Sequence, residues 1–215
     1  MPPMDTPDDT TKTRVRGRPR AFDRDAALFQ AMRTFWLKGY GATSITDLTD
    51  AMGIGSPSLY AAFGSKEALY AEALRHYGER YENLVWGKFF AASTAREAVL
   101  SWLLNSAAIL SGSVADNPLG CMVTLSSVAT EGHKELGALV QSARALPFER
   151  LKTRISQAIS DGEIPASSDA HALARYIQTV QNGMSIQARD GVSGAELEAV
   201  AHLAMLGWDA RTASE

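Results

Sequence analysis

The stretch of sequence that most restricts the possible folds covers residues 43–69, TSITDLTDAMGIGSPSLYAAFGSKEAL. Ser44 precedes a helical pattern and Asp47 follows three residues later, an arrangement that satisfies first-turn amides and places a carboxylate at the positive end of a helix. Gly53 ends the pattern, because glycine tolerates the left-handed conformation in which many helices stop. A short helix is therefore predicted between Ser44 and Gly53.

A second short helix is predicted directly after that glycine. Ser56 suits a helix cap and Pro57 suits the first helical residue. The amide hydrogen that proline lacks would have no hydrogen-bond partner within the helix at that position. Leu59 and Phe63 are four residues apart and should point inward together, and Gly64 ends the helix. A helix, a tight glycine turn and a second helix form the layout of a helix-turn-helix, whose second helix enters the DNA major groove.

Basic residues are concentrated at the amino end of the chain, although the whole chain has a formal net charge of −3. Residues 1–38 contain eight Lys or Arg and five Asp, whereas the remaining 177 residues contain 13 basic and 19 acidic residues. This asymmetry is typical of a chain in which one part meets phosphate. Residues 1–20 are predicted to be a disordered basic arm that reaches the minor groove through Arg14, Arg16, Arg18 and Arg20. The alternative is a solvated tail that only aids solubility.

The rest of the chain keeps a helical pattern, with no convincing alternation of the kind that marks a strand. Asp23 is predicted to cap a first helix that ends near Lys38. Further helices are predicted over about 65–86, from the capping box at Thr94, over about 133–160, over about 169–189 and from the capping box at Ser193. Because proline lacks an amide hydrogen and clashes with the preceding turn, Pro147 is expected to kink or break its helix.

The expected fold is all-α, with about nine helices. Residues 21–66 form the predicted helix-turn-helix domain, a three-helix bundle, and residues 67–215 form a helical ligand-binding and dimerisation domain. The amino terminus lacks the apolar region of a signal peptide, and no apolar run reaches the roughly 20 residues of a membrane span. The single cysteine suits a reducing compartment. A cytoplasmic protein without a membrane partner is expected.

An ordered series of residues runs through positions 16–75: GRPR, Ala31, Phe35, Gly39-Tyr40, Thr43-Ser44-Ile45, Leu48, Ala51, Gly53, Ser58-Leu59-Tyr60, Phe63 and Lys66-Glu67-Ala68-Leu69. This series resembles the TetR/AcrR family of bacterial one-component regulators. The resemblance implies a homodimer whose two heads contact successive major grooves of a palindromic operator. It also implies a repressor that a small-molecule effector releases, with dimer contacts through about 169–189 and 194–210.

The resemblance further implies which residues contact phosphate. Tyr60 and Lys66 match family positions that usually touch the DNA backbone, and the helix that starts at Lys66 is the one expected to move when an effector binds. Thr43 and Ser44 lie at a helix amino terminus, where hydroxyls and amides favour a phosphate. For Tyr60, a half-buried packing role is the alternative.

The predicted recognition helix offers few groups for reading bases. Ala61 and Ala62 stand where many relatives carry polar side chains, and alanine contacts a thymine methyl but cannot hydrogen-bond to a base. Direct readout therefore rests on Ser56, Ser58 and methyl contacts. The arginine arm is accordingly expected to supply an unusual share of the affinity.

Aromatic and methionine residues of the second domain are candidates for lining an effector cavity, because ligand sites are mostly apolar. The candidates are Tyr77, Tyr81, Trp86, Trp102, Met122, Phe148, Tyr176 and Met184. Plain core packing is the alternative for each of them. No cluster of arginines or acids indicates a charged ligand, so the expected effector is largely apolar. No cofactor is expected.

Two further alternatives concern regulation and chemistry. Cys121 could serve a redox- or metal-responsive regulator, with His76 and His133 as co-ligands, although a lone cysteine is more often a small core residue. The sequence contains no P-loop, GxGxxG, GxSxG, CxxC or HExxH pattern, so neither an enzyme nor a metal site is expected. A DNA-binding dimer without any ligand, with an architectural role, is the remaining alternative.

Overall fold

The computed structural model describes residues 23–114 and 117–213, which form eight α-helices. They are α1 Arg24–Lys38, α2 Ile45–Met52, α3 Ser56–Phe63, α4 Lys66–Ala91, α5 Ala95–Leu110, α6 Lys134–Ser160, α7 Ala170–Arg189 and α8 Gly194–Thr212. The all-α fold is confirmed, with eight helices in the described ranges against about nine expected. Among these helices, none is long and apolar enough to cross a membrane. The predicted arm at residues 1–20 lies outside the described residues.

Side-chain caps start most of these helices where the sequence predicts. Complete capping boxes join Ser44 with Asp47, Thr94 with Glu97 and Ser193 with Glu196. The start of α3 differs by one residue, because Gly55 is the N-cap and Pro57 is the second helical residue. Neither of the first two amides of a helix has an intrahelical partner, so proline fits at either position.

Two buried clusters divide the molecule, and α4 belongs to both. The first cluster joins α1, α2, α3 and the first two thirds of α4 around Met32, Phe35, Leu48, Leu59 and Leu69, and it extends to the ends of α5 and α6 that lie nearest these helices and to the segment between them. The second joins α5 to α8 and the end of α4 around Trp86, Trp102, Leu151, Ile177 and Trp208. At about 1.5 Å of rise per residue, the 26 residues of α4 span roughly 39 Å. This helix therefore links the helix-turn-helix to the rest of the chain.

Of the kink or break expected at Pro147, the break is absent, because α6 is one continuous helix of 27 residues that includes this proline. Proline removes the hydrogen bond that would run to the carbonyl four residues earlier and disturbs the neighbouring turn. Here the side chain of Gln178 on α7 donates from Nε2 to the carbonyl of Arg144, at 2.7 Å. Packing against α7 thus supplies a hydrogen bond at the disturbed turn, which sequence periodicity could not indicate.

The apolar stretch between α5 and α6 forms turns rather than a helix. The guanidinium of Arg144 donates to the carbonyls of Val123 and Thr124, both at 3.0 Å, and to that of Ser126. A side chain from α6 thus satisfies carbonyls that the turns leave without a helical ladder. This segment packs between α4 and α7 and becomes part of the wall of the cavity described below.

Candidate DNA-binding face and ligand cavity

The outer side of α3 presents small and polar side chains. Leu59 is fully buried and Phe63 is 6% exposed, so both pack beneath the helix as predicted. Ser56, Ser58 and Ala61 are exposed. Because no bulky side chain covers Ala61, its methyl group could approach a thymine methyl closely, with the two hydroxyls beside it.

Tyr60 and Lys66 are placed where phosphate contacts are possible. Tyr60 is 46% exposed, so its side chain is accessible to a phosphate, and the half-buried packing role stays open as its alternative. Lys66 is the first residue of α4, and its ammonium lies 4.3 Å from the centroid of the Tyr40 ring. The Tyr40 hydroxyl in turn donates to Glu67 at 2.8 Å. The ring fixes the position of a cation at the positive end of a helix, which concentrates positive potential there.

Thr43 does not offer the hydroxyl contact that the sequence suggested. It is 1% exposed, and its Oγ1 donates to the carbonyl of Gly39 at 2.6 Å. Ser44 is exposed, but its hydroxyl is held within the capping box by Asp47. Hydrogen bonds from Lys38 and then from Ser44 lower the pKa of Asp47 well below its usual value. An ionised carboxylate therefore occupies the amino end of α2, with Lys38 partly neutralising it.

Arg24 contributes contacts to this region that were not predicted from the sequence. Its guanidinium donates to both carboxylate oxygens of Glu72, at 2.6 and 2.8 Å, and to the carbonyl of Ala62 at 3.3 Å. It also lies 4.4 Å from the centroid of the Phe63 ring. One side chain at the start of α1 thus holds the carboxyl end of α3 against α4. Its partners are 38 to 48 residues away, so no local pattern could reveal them.

The folded helix-turn-helix contributes little net charge to DNA binding. Residues 23–66 contain four Lys or Arg and four Asp. Residues 12–20 alone contain five Lys or Arg and no acidic residue. The folded head therefore carries no net positive charge, and the excess of positive charge lies in residues 12–20.

A cavity of about 170 Å³ lies between α4, α5, α6, α7 and the segment that carries Cys121. Its apolar wall includes Leu74, Tyr77, Tyr81, Val85, Trp86, Trp102, Ile109, Leu110, Val123 and Pro147. Its polar wall includes Glu82, Ser106, Thr124, Arg144, Gln178, Gln181 and Asn182. This mixture of an apolar surface with a few polar groups is typical of small-molecule sites.

Four of the eight candidate ligand residues line this cavity, namely Tyr77, Tyr81, Trp86 and Trp102. The other four do not. Met122, Phe148 and Met184 are at most 5% exposed in the hydrophobic cores, and Tyr176 lines a separate depression with Gly207 and Arg211. Phe148 follows the cavity residue Pro147 directly, and successive helical residues point about 100° apart. Only the packing of the helices decides which of the two faces the cavity.

Cys121 lies in the cavity wall beside Tyr77. The Tyr77 hydroxyl donates to Cys121 Sγ at 3.3 Å, and the Thr124 amide donates to the same sulfur at 3.5 Å. Burial raises the pKa of Tyr77 well above its usual value, so the phenol remains a donor. His76 packs against Phe29 and His133 against Tyr40. Among the described residues, no group of three or more His, Cys, Asp or Glu side chains could hold a metal ion.

The cavity wall is in direct contact with the helix-turn-helix domain. The rings of Tyr77 and Tyr81 meet the ring of Trp36 on α1, with centroids 4.9 and 5.6 Å apart. Arg189 on α7 donates to the carbonyls of Trp36 and Leu37, at 3.0 and 3.4 Å. A cation at the carboxyl end of α1 complements the helix dipole. The cavity-lining helices are therefore joined to α1 by ring packing and by hydrogen bonds.

Known proteins share both the sequence and the fold. The domain described as bacterial regulatory proteins, tetR family, matches residues 28–73. The HTH-type transcriptional repressor ComR of Escherichia coli (strain K12) is 34% identical over 194 residues, which cover 90% of this chain and 92% of ComR. The HTH-type transcriptional repressor BdcR of the same organism is 47% identical over 66 residues, which cover 31% of this chain and 34% of BdcR.

A solved structure agrees with this likeness over most of the chain. A cysteine mutant of the TetR family transcriptional regulator CifR, complexed with 26bp double-strand operator DNA, has 38% sequence identity and a TM-score of 0.83. The likeness covers 89% of this chain and 100% of that one. A relative more than 30% identical along nearly its whole length, together with the helix-turn-helix and its supporting helices, establishes the family. The chain belongs to the TetR family of DNA-binding bacterial transcriptional regulators.

Proposed function

We propose that the chain is a ligand-responsive repressor that binds a palindromic operator as a homodimer and is released by a small, largely apolar effector. The observation that carries this proposal is the contact between the cavity wall and the DNA-binding domain. Tyr77 and Tyr81 line the cavity and pack against Trp36 of α1. A molecule that displaces either ring must also disturb the packing of α1.

The route from the cavity to DNA follows α4. Residues at its middle line the cavity, and Lys66 at its amino end stands beside α3. Arg24 fastens α3 to α4 through Ala62 and Glu72, so a shift of α4 would carry α3 with it. Moving one of the two heads changes the separation of the recognition helices, which must match successive major grooves. Effector binding would thereby lower affinity for the operator.

The proposed homodimer uses the outer faces of α7 and α8. Val200, Leu203 and Leu206 follow one another at three-residue spacing along α8 and are 42%, 65% and 63% exposed. On the opposite side of α8, Leu197, Ala201, Met205 and Trp208 are buried in the core of the same chain. A helix with apolar side chains on two opposite faces is usually buried against other protein on both faces. A second copy of the chain is the cover that this proposal requires.

Operator binding and release test the proposal directly. DNA from upstream of the chain's own gene would be titrated with the protein by fluorescence anisotropy, with and without small apolar compounds. Saturable binding that competitor DNA of random sequence does not remove, followed by release with one compound class, would support the proposal. Binding that no compound weakens would instead favour an architectural role.

A protein that binds operator DNA acts where the bacterial chromosome lies, so the proposed location is the cytoplasm.

Deleting residues 1–20 is expected to weaken operator binding and to reduce its salt dependence. The described head has balanced charges, whereas the deleted segment contains five Lys or Arg. Each lost phosphate contact makes the slope of log K against log salt less negative by about 0.9, so losing four arginine contacts would reduce its magnitude by up to about 3.6 per protomer. Anisotropy titrations at several salt concentrations measure this slope.

A shorter deletion provides the matched control. Residues 1–11 contain three Asp and no Lys or Arg, so removing only these residues should leave affinity and slope unchanged or slightly raised. If the deletion of residues 1–20 leaves the dissociation constant at physiological salt unchanged, the arm is only a solvated tail.

A further inference from the structure

Arg189, the last residue of α7, reaches three separate parts of the chain. Its Nε donates to the carbonyl of Leu119 at 2.8 Å, its Nη2 to that of Trp36 at 3.0 Å and its Nη1 to that of Leu37 at 3.4 Å. Trp36 and Leu37 belong to the last turn of α1, and Leu119 belongs to the segment between α5 and α6. One guanidinium therefore ties the helix-turn-helix domain and this segment to α7.

The partners of this cation are all neutral carbonyls. The last carbonyls of a helix have no amide donor within the helix and form the negative end of its dipole, so the end of α1 attracts a guanidinium. Burial lowers the pKa of Arg189, and no carboxylate in the described ranges lies within ion-pair distance of it. The guanidinium is therefore partly removed from water without a counter-charge, and the carbonyls determine where it lies.

The contact with α1 is the hydrogen-bonded link between α7 and the DNA-binding head, residues 23–66. No other residue of α7 in the described part of the chain hydrogen-bonds to the head. The head's own core extends instead to the ends of α5 and α6 and to the segment between them, through apolar packing. Apolar packing is non-directional, whereas a hydrogen bond requires a definite distance and angle. Arg189 thus restricts how the head is oriented on α7.

The orientation of the head on α7 affects DNA binding because the proposed homodimer uses the outer face of α7. This helix packs on α5, α6 and α8 of its own chain, so it is held firmly in the second domain. A rotation of either head relative to that domain changes the separation of the two α3 helices. These helices must enter successive major grooves, whose centres are about 34–36 Å apart. A bond from α7 to the head therefore limits which separations the dimer reaches.

We propose that Arg189 is a positioning residue that sets the separation of the two heads and thereby the spacing of operator half-sites that the dimer accepts. This inference rests on the homodimer of the proposed function and requires no effector. It goes beyond that function by naming the residue that determines specificity for half-site spacing.

The substitution Arg189→Met tests the specificity, because methionine keeps an unbranched side chain and removes every donor. Operator DNA from upstream of the chain's own gene would be compared, by fluorescence anisotropy, with versions that carry one base pair more or fewer between the half-sites. One base pair rotates a half-site by about 34° and moves it by about 3.4 Å, so the unmodified chain should prefer the natural spacing. The variant should lose at least about 10-fold of this preference, a small part of the roughly 100- to 10,000-fold that linking two heads contributes.

Arg154→Met is the matched control within the second domain. The Arg154 guanidinium donates to the carbonyl of Ser93 at 3.3 Å and pairs with Glu163, so the same chemical change removes contacts that do not involve the head. This control should keep the full spacing preference. If Arg189→Met does not give a folded dimer in sedimentation velocity, Arg189→Lys replaces it, since one ammonium on a shorter side chain cannot reach all three carbonyls.

A distance measurement without DNA separates positioning from general stabilisation. A nitroxide label on Asp50→Cys, in a Cys121→Ser background, reports the distance between the two heads by pulsed electron spin resonance, since Asp50 is exposed on α2. The Arg189 variant should give a broader distribution with a shifted maximum. The Arg154 control should give the distribution of the labelled parent.

An unchanged spacing preference in the Arg189 variant would overturn the inference, whatever happens to its overall affinity. An unchanged distance distribution would overturn it as well, because a residue that only stabilises the fold leaves the heads where they were. The unmodified chain tests the proposed function separately. If that chain is a monomer, the proposed homodimer fails and this inference fails with it.

Discussion

Replacing both Leu203 and Leu206 with glutamate is expected to convert the protein to a monomer and to weaken operator binding by about 100- to 10,000-fold. The two leucines are 65% and 63% exposed and lie on the side of α8 that faces away from its own core. In a two-fold symmetric interface each substitution occurs twice, so four carboxylates would have to be buried without partners. The monomer would lose the second head, whose binding is otherwise intramolecular.

Sedimentation velocity measures the oligomeric state of this variant, and anisotropy measures its affinity for the operator. Leu84→Glu with Leu139→Glu is the matched control, because these leucines are 43% and 48% exposed on α4 and α6. The control should keep the mass and affinity of the unmodified chain. A folded double variant of Leu203 and Leu206 that remains dimeric would show that the interface lies elsewhere.

Gly120→Ala is expected to destabilise the chain by about 2–5 kcal/mol, the sum of backbone strain and overpacking. Gly120 has φ of 76°, and an added Cβ would lie 2.5 Å from Leu125 Cδ1 and 2.8 Å from the carbonyl oxygen of Ser185. The leucine side chain can turn away, but the backbone of α7 cannot. The same segment is tied to α7 by the Cys121 amide, which donates to Ser185 Oγ, and by Arg189, which donates to the Leu119 carbonyl.

Thermal unfolding at a fixed protein concentration measures this effect, since about 1 kcal/mol shifts the midpoint by roughly 2–4 °C in a chain of this size. Gly162→Ala separates the two contributions. Gly162 has φ of 74°, but an added Cβ there would meet nothing within 4 Å, so only the strain of about 1–2 kcal/mol is expected. Equal losses in the two variants would mean that the structure accommodates the added Cβ at Gly120 and that overpacking contributes nothing to the loss.

The helix starts were predictable because their causes are local. A hydroxyl and a carboxylate three residues apart cap a helix with little help from the rest of the chain, as at Ser44, Thr94 and Ser193. The predicted start of α3 was wrong by one residue, because Gly55 rather than Ser56 is the N-cap. Proline fits either of the first two helical positions, so the local sequence did not distinguish the two starts. The inward pair Leu59 and Phe63 followed from helical spacing alone.

The contacts that join the elements were not predictable, because their partners are far apart in sequence. Arg24 reaches Glu72, Arg144 reaches the segment that holds Val123, and Arg189 reaches Trp36, across 21 to 153 residues. The same holds for the cavity. Four of the eight aromatic and methionine residues that were predicted to line the cavity do so, whereas the other four lie elsewhere.

The sequence by itself determined an all-helical chain with a helix-turn-helix between residues 43 and 69 and a basic segment before it, because capping, helical spacing and charge are properties of neighbouring residues. Only the tertiary structure decided that Thr43 is buried, that α6 passes through Pro147, and that Trp102 and Ser106 share a cavity wall. These features depend on which faces of distant helices meet, and that choice is made by the packing of the whole core rather than by any one segment.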